Sequence, residues 1–151
     1  MPQFETTRRV GHPPDKMFAL VADVEKYPEF LPLCTGLTVR SRKEKDGRTL
    51  LVADMSVGYK AIRESFTTQV FLRPDERLID VKYIDGPFKY LQNHWRFDPA
   101  PDGGTEVHFF IDYEFKSRIL SAVMGSMFDR AFRMFSDAFE KRANVVYGPP
   151  A

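Results

Sequence analysis

Cys34 is the only cysteine in 151 residues, so no disulfide can form within the chain. That fits a reducing compartment. No run approaches the roughly eighteen consecutive apolar residues that a membrane-spanning helix needs. Met1 to Val10 has no apolar core of a secretory signal, and it lacks the acid-free amphipathic look of a transit peptide. Neither charge sign is in excess. There are 22 Lys and Arg against 21 Asp and Glu, a net charge of +1. No bulk field therefore steers the chain to DNA or to an anionic membrane. The three histidines, His12, His94 and His108, have no partners at metal-ligand spacing, and no metal is expected. His94 and His108 are expected to face each other across a hairpin as a solvated pair. Cys34 has no histidine beside it in sequence, and a small buried thiol is the expectation. Nucleophile-elbow, phosphate-loop and dinucleotide fingerprints are absent. No catalytic residue is assigned and no cofactor is required.

Phenylalanine is abundant, at 14 residues. That is more ring volume than a plain aliphatic core needs. Residues 3–10 alternate weakly and read as a strand. Pro13 and Pro14 have fixed φ and suit a helix start, with Asp15 in its first turn. Met17, Phe18, Leu20 and Val21 then keep helical spacing to about Asp23. Tyr27 to Pro32 reads as a short helical turn bracketed by prolines.

From Leu33 the period becomes two. Asp46-Gly47 is the strongest hairpin signal in the chain. Leu51, Ala53, Met55 and Val57 share one face of the return strand. Ile62, Phe66, Val70 and Leu72 share a face of the next, and Ile79, Val81 and Tyr83 of the one after. Leu91, Asn93, Trp95 and Phe97 follow, then Val107, Phe109, Ile111, Tyr113 and Phe115. After Phe115 the period changes to 3.6. From about 118 to 146 there is no proline, and Leu120, Met124, Met127, Phe128, Ala131, Phe135 and Phe139 form an apolar face. Such a helix is about 40 Å long. Short loops between strands imply antiparallel pairing. The final helix is the only element long enough to cover the sheet. The expected class is α+β: about seven antiparallel strands curved around a long C-terminal helix, with two short helices after the first strand. Residues 1–148 are expected to form one domain, with 149–151 as a tail.

Three segments carry a resemblance. They are Val24 to Cys34, with its proline-bracketed aromatics; Asp85-Gly86-Pro87-Phe88 with Leu91, Asn93, Trp95 and Phe97; and Phe139, Arg142-Ala143 and Val146-Tyr147-Gly148. Together they resemble the coenzyme Q-binding START-domain family. Within the wider START-like, polyketide cyclase-like superfamily, that family includes bacterial relatives described as ribosome-associated toxins. The resemblance implies a helix-grip fold with a cavity between sheet and helix. It implies ubiquinone or another isoprenoid lipid as ligand, in support of respiration or quinone biosynthesis. Two alternatives stay open: a ribosome-contacting regulator that interferes with subunit association, and a cyclase-like enzyme. The implied place is the cytoplasm, with transient docking on the inner-membrane surface.

The implied cavity would be walled by Phe30 and Leu33 from the proline segment and by Met55, Val57 and Tyr59 from the first hairpin. Ile62, Glu64, Phe66 and Tyr83 would follow from the middle strands, then Phe88, Tyr90, Leu91, Asn93 and Trp95. Phe109, Tyr113, Met124, Phe128, Phe132 and Phe135 would complete it. Glu64 shares the inward face of Ile62 and Phe66. It is a proton acceptor, a paired charge, or a strand-end group in solvent. Asn93 either bonds backbone in a bulge or donates to a ligand carbonyl. Tyr59, Tyr83 and Tyr90 are further polar candidates. The mouth is expected at Phe30, Leu31, Phe88, Ile119, Leu120 and Val123, rimmed by Lys89 and Arg118. The competing reading is that Phe30 and Leu31 plug the core. Arg118, Arg130, Arg133, Lys141 and Arg142 make the last helix basic, either as a solvated face or as a contact for headgroups or RNA phosphates.

Overall fold

Asp46 and Gly47 hold φ values of 54° and 78°, the paired positive φ of a tight hairpin turn. The turn joins β2 (Cys34–Lys45) to β3 (Arg48–Tyr59). The computed structural model describes residues 3–149 except 60 and 61. Before that hairpin lie β1 (Gln3–Val10), α1 (Pro14–Ala22) and a 3-10 turn over Val24–Glu29. After it come β4 (Ile62–Arg73), β5 (Leu78–Asp85), β6 (Phe88–Pro99), β7 (Thr105–Phe115) and α2 (Arg118–Tyr147). The short turn thus forms slightly earlier than the prolines suggested, and Pro28 falls inside it.

The strands make one antiparallel sheet in the order β1-β7-β6-β5-β4-β3-β2. β1 crosses to pair with β7, which leaves β1 and β2 as edges. Arg40, Arg42, Lys43 and Lys45 along β2 guard that edge against further pairing. Irregularities in register fall at Cys34/Gly36, Val39/Ser41, Thr67/Thr68 and Phe88/Tyr90. Each bends its strand, and together they help curl the sheet. The result is the helix-grip layout, with α2 lying on the concave face.

Alternation is cleanest in β7, where Val107, Phe109, Ile111, Tyr113 and Phe115 are all buried. Opposite them, α2 buries Met124, Phe128, Ala131, Phe132, Ser136, Phe139 and Ala143, which form one helical face. Ser117 caps α2, accepting hydrogen bonds from the Ile119 and Leu120 amides. Among the described residues, the hydrogen bonds and ion pairs between α2 and the rest of the fold lie in its last turns, and Arg133 adds a cation–ring contact to Phe4. Arg8 meets Asp137 and Glu140 at 3.2 and 2.9 Å. Arg142 meets Glu29 at 2.7 Å, His12 meets Asn144 at 2.8 Å, and Tyr147 donates to the Lys16 carbonyl. Among the described residues, no hydrogen bond or ion pair joins side chains 118–136 to the sheet.

Phe88 was expected at a cavity mouth. It is instead fully buried, among the rings of Phe66, Tyr83, Tyr113, Phe115 and Phe128. Gly86 precedes it with φ 147°, and a Cβ there would stand 2.5 Å from the Cβ of Phe66. Only glycine lets the β5–β6 turn pass so close to β4. Leu31 is buried as well, in line with the core-plug alternative. The histidine pair also differs. Pro99 pairs with Thr105, so His94 faces Phe110 and His108 faces Arg96. His94 bonds Asp80 at 2.7 Å, and His108 bonds Asp98 and Thr7, each at 2.9 Å.

Candidate ligand cavity

The concave face of the sheet does not close completely on α2. A cavity of about 100 Å³ remains between them. Its floor comes from alternate residues of β3 to β7: Ala53, Met55, Val57, Phe66, Thr68, Val70, Ile79, Val81, Leu91, Asn93, Trp95, Phe109 and Ile111. Its roof is Phe128, Ala131, Phe132, Phe135 and Phe139 from α2. Val24, Tyr27, Leu31, Pro32, Leu33 and Leu37 close one side. The aromatic surplus of the sequence is thereby divided. One set of rings packs around Phe88 and fills the groove beside Tyr113, and another set walls the cavity.

Of the residues expected to line a cavity, Leu33, Met55, Val57, Phe66, Leu91, Asn93, Trp95, Phe109, Phe128, Phe132 and Phe135 do so. Phe30 stands behind the wall, ring to ring with Tyr27 and Phe139 and beneath Arg142. Ile62 and Glu64 sit at the β3–β4 end of the sheet, half-buried and outside the cavity lining. The side chain of Tyr59 lies outside the described residues. Tyr83 turns its hydroxyl to accept from the Phe88 amide at 3.1 Å. The Tyr90 hydroxyl donates to Asp112, a residue of the convex face. Met124 is buried without lining the cavity. Tyr113 packs against Phe132. Its hydroxyl is sealed and unpartnered, and burial pushes its phenol up to about 12.

Sequence reasoning missed Tyr27, Leu37, Thr68 and Val81 in particular. Thr68 had a usable signal, because it shares the parity of Phe66 and Val70. Tyr27 had none in the strand pattern. It reaches the cavity because the 3-10 turn folds back, with its hydroxyl donating to the Val21 carbonyl. Burial raises its phenol strongly, and Cys34 and Asp23 add to that.

Polar groups in the lining are few. The Asn93 amide nitrogen donates to the Phe110 carbonyl at 2.8 Å, and Asn93 Oδ1 accepts from Trp95 Nε1 at 3.1 Å. The backbone alternative for Asn93 therefore holds, though across the β6–β7 ladder rather than in a bulge. No Asp, Glu, His, Lys, Arg or Cys belongs to the lining among the described residues. Cys34 lies nearby, with its thiol pushed up to about 11 by burial. A partly open, aromatic-walled space with so few polar points is suited to holding a hydrophobic ligand.

The model for polyketide cyclase/dehydrase and lipid transport proteins matches residues 10–140. The chain belongs to that family. It is 34% identical over 148 residues to the ribosome association toxin RatA of Vibrio cholerae, covering 98% of this chain and 99% of that one. It is 30% identical over 146 residues to a mitochondrial coenzyme Q-binding protein of Dictyostelium discoideum, covering 95% of this chain and 70% of that one. An 18 kDa protein of Caulobacter crescentus, solved in solution, superposes with a TM-score of 0.80 at 38% identity, covering 98% and 99% of the two chains. The Zhui aromatase/cyclase of Streptomyces shares the fold, with a TM-score of 0.77 at 18% identity, covering 95% and 93%.

Proposed function

We propose that this protein binds a hydrophobic lipid between sheet and α2, with an isoprenoid quinone such as ubiquinone as the ligand. The observation that carries this reading is the lining: aromatic and aliphatic walls, and no ionisable side chain but Tyr27. The Tyr27 hydroxyl is committed to the Val21 carbonyl and burial holds its proton, so the lining favours binding over acid–base catalysis. The relative named as coenzyme Q-binding supports the ligand class. A volume of about 100 Å³ is below that of a pocket for a whole drug-sized molecule, roughly 300 Å³ or more. A ring therefore enters first, and a tail requires α2 to lift. Trp95, the only tryptophan, is in the floor. A short-chain ubiquinone analogue should quench its emission in a saturable way. Unchanged emission while the analogue binds by another method would move the ligand elsewhere.

A second reading, contact with ribosomal RNA, is favoured by one surface. The exposed β2–β3 hairpin carries Arg40, Arg42, Lys43, Lys45 and Arg48; Arg40, Arg42 and Arg48 meet Asp54, Glu25 and Asp75, while Lys43 and Lys45 have no ion pair among the described residues. The last helix is less suitable than its sequence suggested. Arg133, Lys141 and Arg142 are neutralised by Asp129, Asp137 and Glu29. The relatives named as ribosome association toxins support this reading. Ribosome co-sedimentation at two salt concentrations tests it. Phosphate contacts made by Lys43 and Lys45 would weaken steeply with salt and be lost in the double variant Lys43→Glu, Lys45→Glu.

A further inference from the structure

Thr68 occupies a position where β4 has every reason to carry valine. Its side chain faces the concave side, between Phe66 and Val70, and it is only 6% exposed. Its cross-strand neighbours are Ala53 on β3 and Tyr83 on β5. Valine has nearly the same shape and no polar atom to desolvate. A buried hydroxyl without a partner is unfavourable, and proteins rarely keep one without cause.

Among the described residues, the Thr68 hydroxyl makes no hydrogen bond. It differs from the Tyr113 and Ser136 hydroxyls, which are sealed by surrounding protein atoms. Thr68 borders the cavity, so the unused donor is available to whatever enters. The register irregularity at Thr67/Thr68 lies at this same point, where Thr67 pairs with Asp85 and Thr68 with Tyr83. Thr67 turns to the convex face and bonds Asp54.

Asn93 supplies a second donor. An amide nitrogen carries two hydrogens. One is used on Phe110, and Asn93 Oδ1 is held by Trp95. The second hydrogen has no partner among the described residues, and Asn93 lines the cavity. Thr68 and Asn93 flank β5, with Val81 of that strand opposite Asn93. Apart from Tyr27 and Trp95, whose polar hydrogens are already bonded, these two are the donors of the lining.

We propose that Thr68 is a specificity-determining residue, whose hydroxyl donates to an acceptor oxygen on an otherwise apolar ring held in this cavity. Asn93 offers the second donor, so the preferred ligand class is a flat ring carrying carbonyl oxygens. This inference rests on the cavity binding a hydrophobic ligand and adds how it tells an oxygenated ring from a hydrocarbon.

The test uses two probes of similar shape, tetramethyl-1,4-benzoquinone and 1,2,4,5-tetramethylbenzene, titrated by protein-observed NMR. Thr68→Val should weaken the quinone roughly 3- to 10-fold, the worth of one hydrogen bond. It should leave the hydrocarbon unchanged, and Thr68→Ser should restore the quinone affinity. Equal effects on both probes, or none on the quinone, would overturn the role of Thr68 while leaving the cavity as a hydrophobic site. A wild-type protein that binds neither probe would overturn both readings.

Discussion

Trp95 Nε1 donates to Asn93 Oδ1 at 3.1 Å, two residues back along β6 and on the same face of the strand. The pair closes a short chain from the indole through the amide to the Phe110 carbonyl on β7. Asn93→Leu keeps the volume but removes both partners at once. The buried indole N–H is then unsatisfied, and the Phe110 carbonyl loses its side-chain donor. The expected cost is about 2 kcal/mol, read as a lower urea midpoint with an unchanged slope. The Trp95 emission maximum should shift in the same variant.

Two phenylalanines of the same cluster should behave differently. Phe88 has no exposed surface and packs on five rings, so Phe88→Ala should cost about 3–5 kcal/mol. Phe135 is half-buried and already borders empty space. Phe135→Ala should cost less than half as much and should enlarge the cavity. Chemical denaturation of the two variants side by side checks the order.

The protein should lose stability at alkaline pH in a defined window. Burial raises the Cys34 thiol from an ordinary value of 9.0 to about 11. The folded state therefore holds its proton more tightly than the unfolded chain does. That contribution is complete below pH 9 and is lost as pH rises toward 11. Tyr113, raised from 10.0 to about 12, extends the decline upward. Unfolding midpoints measured from pH 8 to 12 should fall through this range. Cys34→Ala should flatten the lower part, and a thiol reagent should react with wild-type Cys34 slowly at pH 7.

An isoprenoid ligand has to be collected at a membrane, because each methylene costs about 0.8 kcal/mol to expose to water. With Phe88 and Leu31 buried, the exposed apolar surface at the start of α2 is Ile119, 76% exposed, and Val123, 47% exposed. Arg118 stands beside them, also exposed. The double variant Ile119→Asp, Val123→Asp should keep its circular dichroism spectrum yet lose co-flotation with anionic liposomes. Undiminished flotation would place docking on another face.

Strand faces were readable from period two, because a residue's side of a sheet depends only on parity. Position along the groove was not. Glu64 and Thr68 share one parity, yet only Thr68 meets the cavity, since Glu64 falls near the strand end. Phe88 misled for a different reason. It is out of step with Leu91 and Asn93, and the irregularity at Phe88/Tyr90 restores it to the inward face while Tyr90 turns outward to Asp112. A bulge of that kind leaves no mark in an alternation pattern. The histidines were misplaced by the reach of one loop. Pairing runs on to Pro99 and Thr105, so His94 meets Phe110 and not His108.

Hydrogen bonds and ion pairs hold the last turns of α2, while its earlier turns rest on apolar packing, on the Arg133 contact with the Phe4 ring and on the two-residue link to β7. From residue 137 to residue 118 is about 28 Å at 1.5 Å per residue. A tilt of about 10° around the last turns, taken up by Lys116 and Ser117 between β7 and α2, would raise the first turns by about 5 Å, roughly the thickness of a hydrocarbon chain. Such a motion would break none of the ion pairs to Arg8 or Glu29. It would cost apolar contact, which an incoming tail replaces in kind, and would loosen the Arg133 guanidinium from the Phe4 ring. Clearance is then greatest at Ile119 and least at Phe139, so a bound chain would lie head inward and tail outward, in the order in which a bilayer would release it.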